Sequence, residues 1–288
     1  MGKTALIRLG TLGLLCLGCG VEELPEAIRC SVELGFPDQP TGFRESVAGR
    51  IHLHVRPDAV SASRTMELAE GLETHRRFIA QGYRELYRVP PEAEVHFFLY
   101  DGREDKLRAF PCSGTGAAAL TGYEGRYEAH SHRMSTHELV HVYTLTEPSH
   151  AWNQLLIEGL AVYWGDAWSF DDPSRPSSDL TPFFPELDYL TSSGGSPAFS
   201  LQAIHDWAPN RSLPEEEVIA RYLSAGSFVR FLFEGEDTDL IRLHLAQELR
   251  PWREVRSQAH ITALETTYGR SLAELESDWR AWTGLPPR

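Results

Sequence analysis

The order of apolar and polar positions changes along the chain, and its first part predicts strands. Apolar and polar residues alternate over 51–55, as they do in a strand with one buried face. The apolar run at 95–100 predicts a second strand, and a third is predicted near 122–127. Between the first two strands, apolar residues over 63–87 recur at helical spacing, and Pro90 follows that helix as a stop signal. This half of the chain therefore predicts a short sheet with a helix packed on it.

From residue 134 onwards the apolar positions recur mainly at helical spacing. Helices are predicted over 134–145, 153–168, 215–233, 238–249, 252–268 and 272–282. The segment 170–200 is rich in Pro, Ser, Asp and Gly and is predicted to be a long loop. The pattern as a whole predicts an α+β fold: a small N-terminal α/β lobe with a short mixed sheet, then a mainly helical lobe, with the active site at their junction.

The first residues have the composition of a targeting segment. Lys3 and Arg8 precede an uncharged apolar run at 9–18, which is too short to span a bilayer and predicts a signal peptide over 1–18. The end of this run resembles the signal box of bacterial lipoproteins, with Cys19 as the lipidated residue. The chain is therefore expected to be exported and anchored to a membrane through that lipid. Secretion without a lipid is the alternative.

Charge bears on the kind of partner that the protein can bind, and cysteine content bears on a possible disulfide. The chain has 27 Lys+Arg against 41 Asp+Glu and shows no basic patch, which argues against a nucleic-acid partner. If Cys19 is acylated, Cys30 and Cys112 are the remaining cysteines of the exported chain, in an oxidising compartment. The sequence leaves two interpretations of this pair equally open, a disulfide or two unpaired buried thiols. It does not indicate an oligomeric state.

The motif that carries chemistry is H-E-x-x-H, from His137 to His141. Residues four apart in a helix project from the same face, so both imidazoles can reach one metal ion. Glu138 projects beside that face, from where it can accept a proton from a water activated by the metal. A structural alternative is a capping box, in which Ser135 and Glu138 begin the helix.

A second carboxylate strengthens the metal interpretation. Glu158 lies in a strongly apolar segment predicted to be helical, 17 residues after His141. Burying a carboxylate there without a partner would be costly, and a zinc ion held by two histidines is such a partner. With Glu158 as third ligand, the fourth position stays open for water, as in catalytic zinc sites. The sequence thus predicts one zinc ion bound by His137, His141 and Glu158.

H-E-x-x-H followed by E-G-L-A on the next helix resembles the gluzincin peptidases, the thermolysin-like clan. The chain is most similar to the small bacterial members described as peptidase MA-like, from the strand near Ile51 to the segment 268–279. The resemblance implies that His137, His141 and Glu158 bind zinc and that Glu138 is the general base. The G-x-M-E-N motif of the aminopeptidase branch is absent from 122–132, so exopeptidase action is not implied.

The same resemblance extends to Tyr222. Relatives of the aminopeptidase branch carry a tyrosine before a similar glycine-containing helix, where it stabilises the tetrahedral intermediate. The spacing from Tyr222 to Gly226 is one residue longer here than in that branch. His205, in a short segment after the long loop, is the competing candidate for this role. His52 and His54 share one strand face and could bind metal, but they are interpreted as the solvated face of the strand.

These observations divide the chain into a signal peptide at 1–18, a tether or irregular lead-in at 19–48, and a metallopeptidase domain at 49–288 with lobes at 49–133 and 134–288. The expected function is zinc-dependent hydrolysis of peptide bonds in a peptide or protein substrate, outside the cytoplasm. Whether it is an endopeptidase or an exopeptidase stays open. The alternative is a catalytically inactive, peptidase-like lipoprotein that acts as a binding or structural module.

Overall fold

The computed structural model describes residues 41–82, 93–109, 117–123, 126–132, 136–144, 154–165, 200–205, 215–248 and 257–287. The strands are β1 (Arg44–Ala48), β2 (Ile51–Val55), β3 (Val95–Leu99), β4 (Ala117–Tyr123) and β5 (Arg126–Ser131). The helices are α1 (Ala62–Gly82), α2 (Gly102–Ala109), α3 (His137–Thr144), α4 (Gln154–Trp164), α5 (Leu201–His205), α6 (Glu215–Glu234), α7 (Thr238–Glu248), α8 (Ser257–Tyr268) and α9 (Leu272–Thr283). The fold is α+β, as predicted, with a mixed sheet followed by helices.

The described strands form one sheet in the order β1-β2-β3-β5-β4. The outer pairs β1–β2 and β4–β5 are antiparallel, whereas β2–β3 and β3–β5 are parallel. On one face, Leu53 of β2 and Phe97 of β3 are fully buried, and they join Leu68 and Leu72 of α1 in the hydrophobic core. The alternation predicted for 51–55 is confirmed: every second residue of β2 is buried.

The structure corrects three details of the predicted lobe. β1 occupies the last part of the predicted lead-in at 19–48; it is a half-exposed edge strand with little apolar alternation. The single strand predicted near 122–127 is wrong, because that segment spans the end of β4 and the start of β5. α2 was not predicted, because its sequence GREDKLRA lacks an apolar stripe.

The helical lobe is built around a close crossing of α4 and α6. A Cβ on Gly159 would lie 2.5 Å from Val229 Cγ2 and 2.7 Å from the Ala225 carbonyl oxygen, and one on Gly226 would lie 2.3 Å from Val162 Cγ1. Glycine at both positions therefore lets the two helices approach each other more closely than any larger residue would allow. This crossing fixes where α6 lies relative to Glu158.

The C-terminal helix closes the core of this lobe. Trp279 of α9 is fully buried and donates a hydrogen bond from Nε1 to Ser227 Oγ at 3.1 Å. Phe228 and Val229 of α6 are fully buried beside it, as the predicted amphipathic pattern requires. Ser271 caps α9 in a capping box with Glu274.

Several predictions concern residues outside the described ranges. These are the signal peptide at 1–18, the lipidated Cys19, the pair Cys30 and Cys112, and most of the loop at 170–200. Among the described residues, none of the helices combines the length and apolar character needed to cross a membrane.

Candidate metal centre

The start of α3 is tied to the end of α4. Thr136, directly before His137, is fully buried, and its hydroxyl donates a hydrogen bond to the Gly165 carbonyl oxygen at 2.7 Å. The Thr136 carbonyl accepts the first helical hydrogen bond of α3, from the Val140 N–H at 3.0 Å. A Cβ on Gly165 would lie 2.5 Å from His137 Cα, so glycine is needed where the two helices meet. These contacts fix the position of the start of α3 relative to the end of α4.

The predicted ligands converge on one point. His137 Nε2 and His141 Nε2 lie 3.1 Å apart, and Glu158 Oε2 lies 3.2 Å from each of them. Ligand atoms placed tetrahedrally at zinc-to-nitrogen and zinc-to-oxygen distances of roughly 2.0 Å lie about 3.3 Å from one another. The three atoms therefore have the separations of three ligands on one face of a tetrahedral site.

Glu138 lies beside this triangle. One of its carboxylate oxygens is within 4.8 Å of a ring nitrogen of His137 and of His141, so it belongs to the same group of potential ligands. Glu158 Oε2 lies within hydrogen-bond distance of both nitrogens, at 3.2 Å, and Glu158 is buried together with His141. The geometry therefore favours Glu158 as the third ligand and leaves Glu138 as the neighbouring carboxylate. The capping-box alternative for Glu138 requires Ser135, which lies outside the described residues.

The two carboxylates differ in their electrostatics. Burial disfavours ionisation of Glu158, but the charge of His141 and hydrogen bonds from His137 and His141 outweigh it and lower the Glu158 pKa to about 2. Burial raises the pKa of Glu138, and the nearby His141 and His137 oppose that rise only in part. Glu158 is thus kept ionised, as a ligand must be, and Glu138 is shifted towards the range useful for a general base.

Tyr222 reaches the same place from α6. Its ring packs edge-on against the His137 ring, with centroids 5.9 Å apart and planes at 79°. The close crossing of α4 and α6 brings this part of α6 next to the ligands. The competing candidate, His205, is buried in α5 and its ring lies 6.5 Å from that of His260. Tyr222 is therefore in contact with a predicted ligand.

Sequence reasoning missed a buried lysine near the centre. Lys106 of α2 has no exposed surface, and burial lowers its pKa to about 8 while the charge of Glu138 acts in the opposite direction. A lysine in the highly charged segment 102–109 has no feature that marks it as buried. Thr136 was also missed, because its role depends on a hydrogen bond to Gly165 at the end of another helix.

The centre lies where the two parts of the fold meet. α3 packs on β4 and β5 of the sheet on one side and on α4 on the other. The predicted position of the site at this junction agrees with the structure. No model of a known protein family matches this chain, and no curated protein has a matching sequence. A functional interpretation therefore depends on the geometry of the site.

Proposed function

We propose that this protein is a zinc-dependent peptidase of the gluzincin type that hydrolyses peptide bonds outside the cytoplasm. The observation that carries the proposal is the triangle of His137 Nε2, His141 Nε2 and Glu158 Oε2, with sides of 3.1 and 3.2 Å. Glu138 beside this triangle and Tyr222 against His137 add the groups that amide hydrolysis requires.

The donor set fits zinc. Two imidazole nitrogens and one carboxylate oxygen are typical zinc ligands, whereas calcium and magnesium prefer oxygen donors alone. Glu158 has a pKa of about 2 and is available as an anion at neutral pH. When bound, zinc would supply a Lewis acid that polarises the scissile carbonyl and lowers the pKa of water.

The residues of the chain would then divide the reaction between them. Glu138 accepts a proton from the water whose oxygen attacks the amide carbon, and it delivers that proton to the leaving nitrogen as the carbon–nitrogen bond breaks. The Tyr222 hydroxyl donates a hydrogen bond to the negative charge that develops on the carbonyl oxygen. Glu158 and the two histidines hold their positions through the contacts of α3 with α4.

The proposed location outside the cytoplasm depends on residues outside the described ranges. A signal peptide at 1–18 followed by a lipid on Cys19 would leave the domain attached to the outer face of a membrane, within reach of peptide or protein substrates. Cys19→Ser is expected to move the protein from the membrane fraction to the soluble exported fraction. Retention of this variant at the membrane would contradict the lipid anchor.

Activity and metal content together test the function. The purified protein is assayed on casein with and without a chelator, and its zinc is quantified by mass spectrometry. Wild type is expected to hydrolyse casein and to lose activity on chelation. Glu138→Gln should keep the zinc of wild type and lose turnover, whereas His141→Ala should lose one equivalent of zinc. Wild-type protein that holds zinc at this centre but hydrolyses neither casein nor a library of short peptides would instead be a binding module.

A further inference from the structure

A second group of metal-ligating side chains lies on the sheet, on the face opposite the hydrophobic core. Three neighbouring strands contribute to it: Glu45 comes from β1, His54 from β2 and His96 from β3. The register places Glu45 directly opposite His54, and His52 directly opposite His96. Because alternate residues of a strand share a face, these four side chains project from the same side of the sheet.

The distances within this group are those of a near-formed site. His54 Nε2 lies 2.9 Å from His96 Nδ1 and 3.9 Å from Glu45 Oε1, and the ligand atoms of all three residues lie within 4.8 Å of one another. The two measured separations lie on either side of the value of about 3.3 Å expected between ligands of tetrahedral zinc. A rotation of the half-exposed Glu45 side chain would shorten the longer of the two separations.

The rings are held in place by stacking. His54 stacks on Phe98 with centroids 4.5 Å apart and planes at 11°, and His96 packs against His52 at 4.7 Å. The side chain of His54 is only 13% exposed, whereas that of Glu45 is 48% exposed. This face of the sheet is therefore sheltered but open to solvent at Glu45, which gives an ion a route of entry.

We propose that Glu45, His54 and His96 form a second binding site for a divalent transition metal such as zinc. His52 orients the ligand carboxylate, because His52 Nδ1 donates a hydrogen bond to Glu45 Oε1 at 2.7 Å. Such partners of metal ligands commonly fix the orientation of the ligand. The remaining coordination position is open to water.

The site would tie the edge of the sheet together. β1 is a short edge strand, paired through β2 alone among the described strands, and a metal shared by β1, β2 and β3 would cross-link it to the interior. A metal that binds the folded state alone stabilises that state by mass action. This proposal does not depend on the peptidase activity, because none of its residues belongs to the candidate catalytic centre.

The test counts metal ions on the untagged, full-length exported protein. Zinc is measured after equilibrium dialysis, and cobalt is titrated while its visible absorption is recorded. Wild type is expected to bind two equivalents. His54→Ala and His96→Ala should each bind one equivalent and keep full hydrolytic activity, with the zinc dissociation constant of the lost site raised by more than about a hundredfold.

His52→Ala is the matched control, because His52 lies on the same strand and the same face as His54 but is not one of the three ligands. It should keep two equivalents, with a dissociation constant raised by about tenfold, as expected for loss of an orienting partner. One equivalent in wild type, lost in His141→Ala and retained in His54→Ala, would overturn the second site and leave the first intact. Equal loss of zinc in His52→Ala and His54→Ala would also overturn it, because that result indicates binding by any surface histidine. A circular-dichroism spectrum equal to that of wild type, recorded on the same samples, shows that the variants are folded whether or not the protein is a peptidase.

Discussion

Two groups of two histidines and one glutamate can be compared within this molecule. In the helical centre, two ligands lie four residues apart on α3 and the third comes from α4, and the three atoms are 3.1 to 3.2 Å apart. In the strand group, each ligand comes from a different strand, and the two measured separations are 2.9 and 3.9 Å. The helical centre thus has its ligands equally spaced, while the strand group is less regular.

The helices and strands that carry the side chains account for this difference in regularity. The candidate ligands of the helical centre lie on helices that are joined by a buried hydrogen bond from Thr136 to Gly165 and by the crossing of α4 and α6. The strand ligands are held mainly by ring stacking on Phe98, and Glu45 is half exposed. A rigid site with a neighbouring carboxylate as base suits catalysis.

The largest expected effect separates the roles of two carboxylates. Glu138→Gln removes the base and should lower casein turnover by about 10²–10⁴-fold with zinc content unchanged. Glu45→Gln, the matched change in the strand group, should leave turnover unchanged and weaken the second zinc. Turnover and metal content are measured on the same samples. Loss of zinc in Glu138→Gln would show that Glu138 is a ligand, contrary to the assignment here.

The next effect compares the tyrosine beside the helical centre with a tyrosine of the sheet. Tyr222→Phe removes only a hydroxyl and should lower turnover by about a hundredfold or more, the loss typical of one oxyanion donor, with folding and zinc unchanged. Tyr100→Phe is the control, because the Tyr100 hydroxyl hydrogen-bonds His130 Nδ1 at 2.9 Å on the sheet. It should keep turnover and cost about 1 kcal/mol of stability. Full activity in Tyr222→Phe would make His205 the better candidate.

A third change tests whether the helix crossing positions the helical centre. Gly159→Ala places a Cβ 2.5 Å from Val229 Cγ2 and 2.7 Å from a backbone oxygen, so α4 and α6 must move apart. Overpacking of this kind costs about 1–3 kcal/mol of unfolding free energy, and turnover should fall as Tyr222 moves from His137. Denaturant unfolding and casein assays measure the two effects. The zinc of the strand group should be unaffected, and its loss would contradict the independence of the two sites.

The last expected effect comes from a histidine in neither group. Burial lowers the pKa of His75 from 6.5 to about 3, so between these values the unfolded chain binds a proton that the folded chain does not. Stability therefore falls as the pH falls through this window, by up to about 1.4 kcal/mol per pH unit. His75→Gln should reduce this slope in urea unfolding of the chelator-treated protein. An identical slope in the variant would show that other groups cause the acid sensitivity.

The two groups also differ in how far the sequence predicts them. The convergence of His137, His141 and Glu158 could be predicted from the sequence. Helical spacing is local, and an isolated carboxylate in an apolar helix requires a partner. The strand group could not, because His54 meets Glu45 and His96 only through the register of three strands. His52 and His54 were predicted to form the solvated face of the strand. Both lie on the face opposite the core, but their side chains are only 18% and 13% exposed.

The prediction of helices and strands from the sequence was limited in the same way. Helices α3, α4 and α6 to α9 follow from strong periodicity, and their predicted ranges agree with the described residues to within a few positions. The predicted start of α8 at 252 lies outside the described residues. β1 and α2 were missed because an exposed edge strand and a charged helix lack an apolar pattern. Lys106 could not be recognised as buried, because its burial depends on tertiary packing that its charged segment does not indicate.

Anomalous diffraction at the zinc absorption edge, from crystals of the exported protein grown with zinc, tests the central claim most directly. The account predicts a strong peak about 2.0–2.2 Å from His137 Nε2, His141 Nε2 and Glu158 Oε2, with Glu138 outside the coordination shell. In the same map, a second peak is expected between Glu45, His54 and His96. A map without a peak at the first position, or a structure in which Glu158 points away from both histidines, would contradict the assignment of this centre.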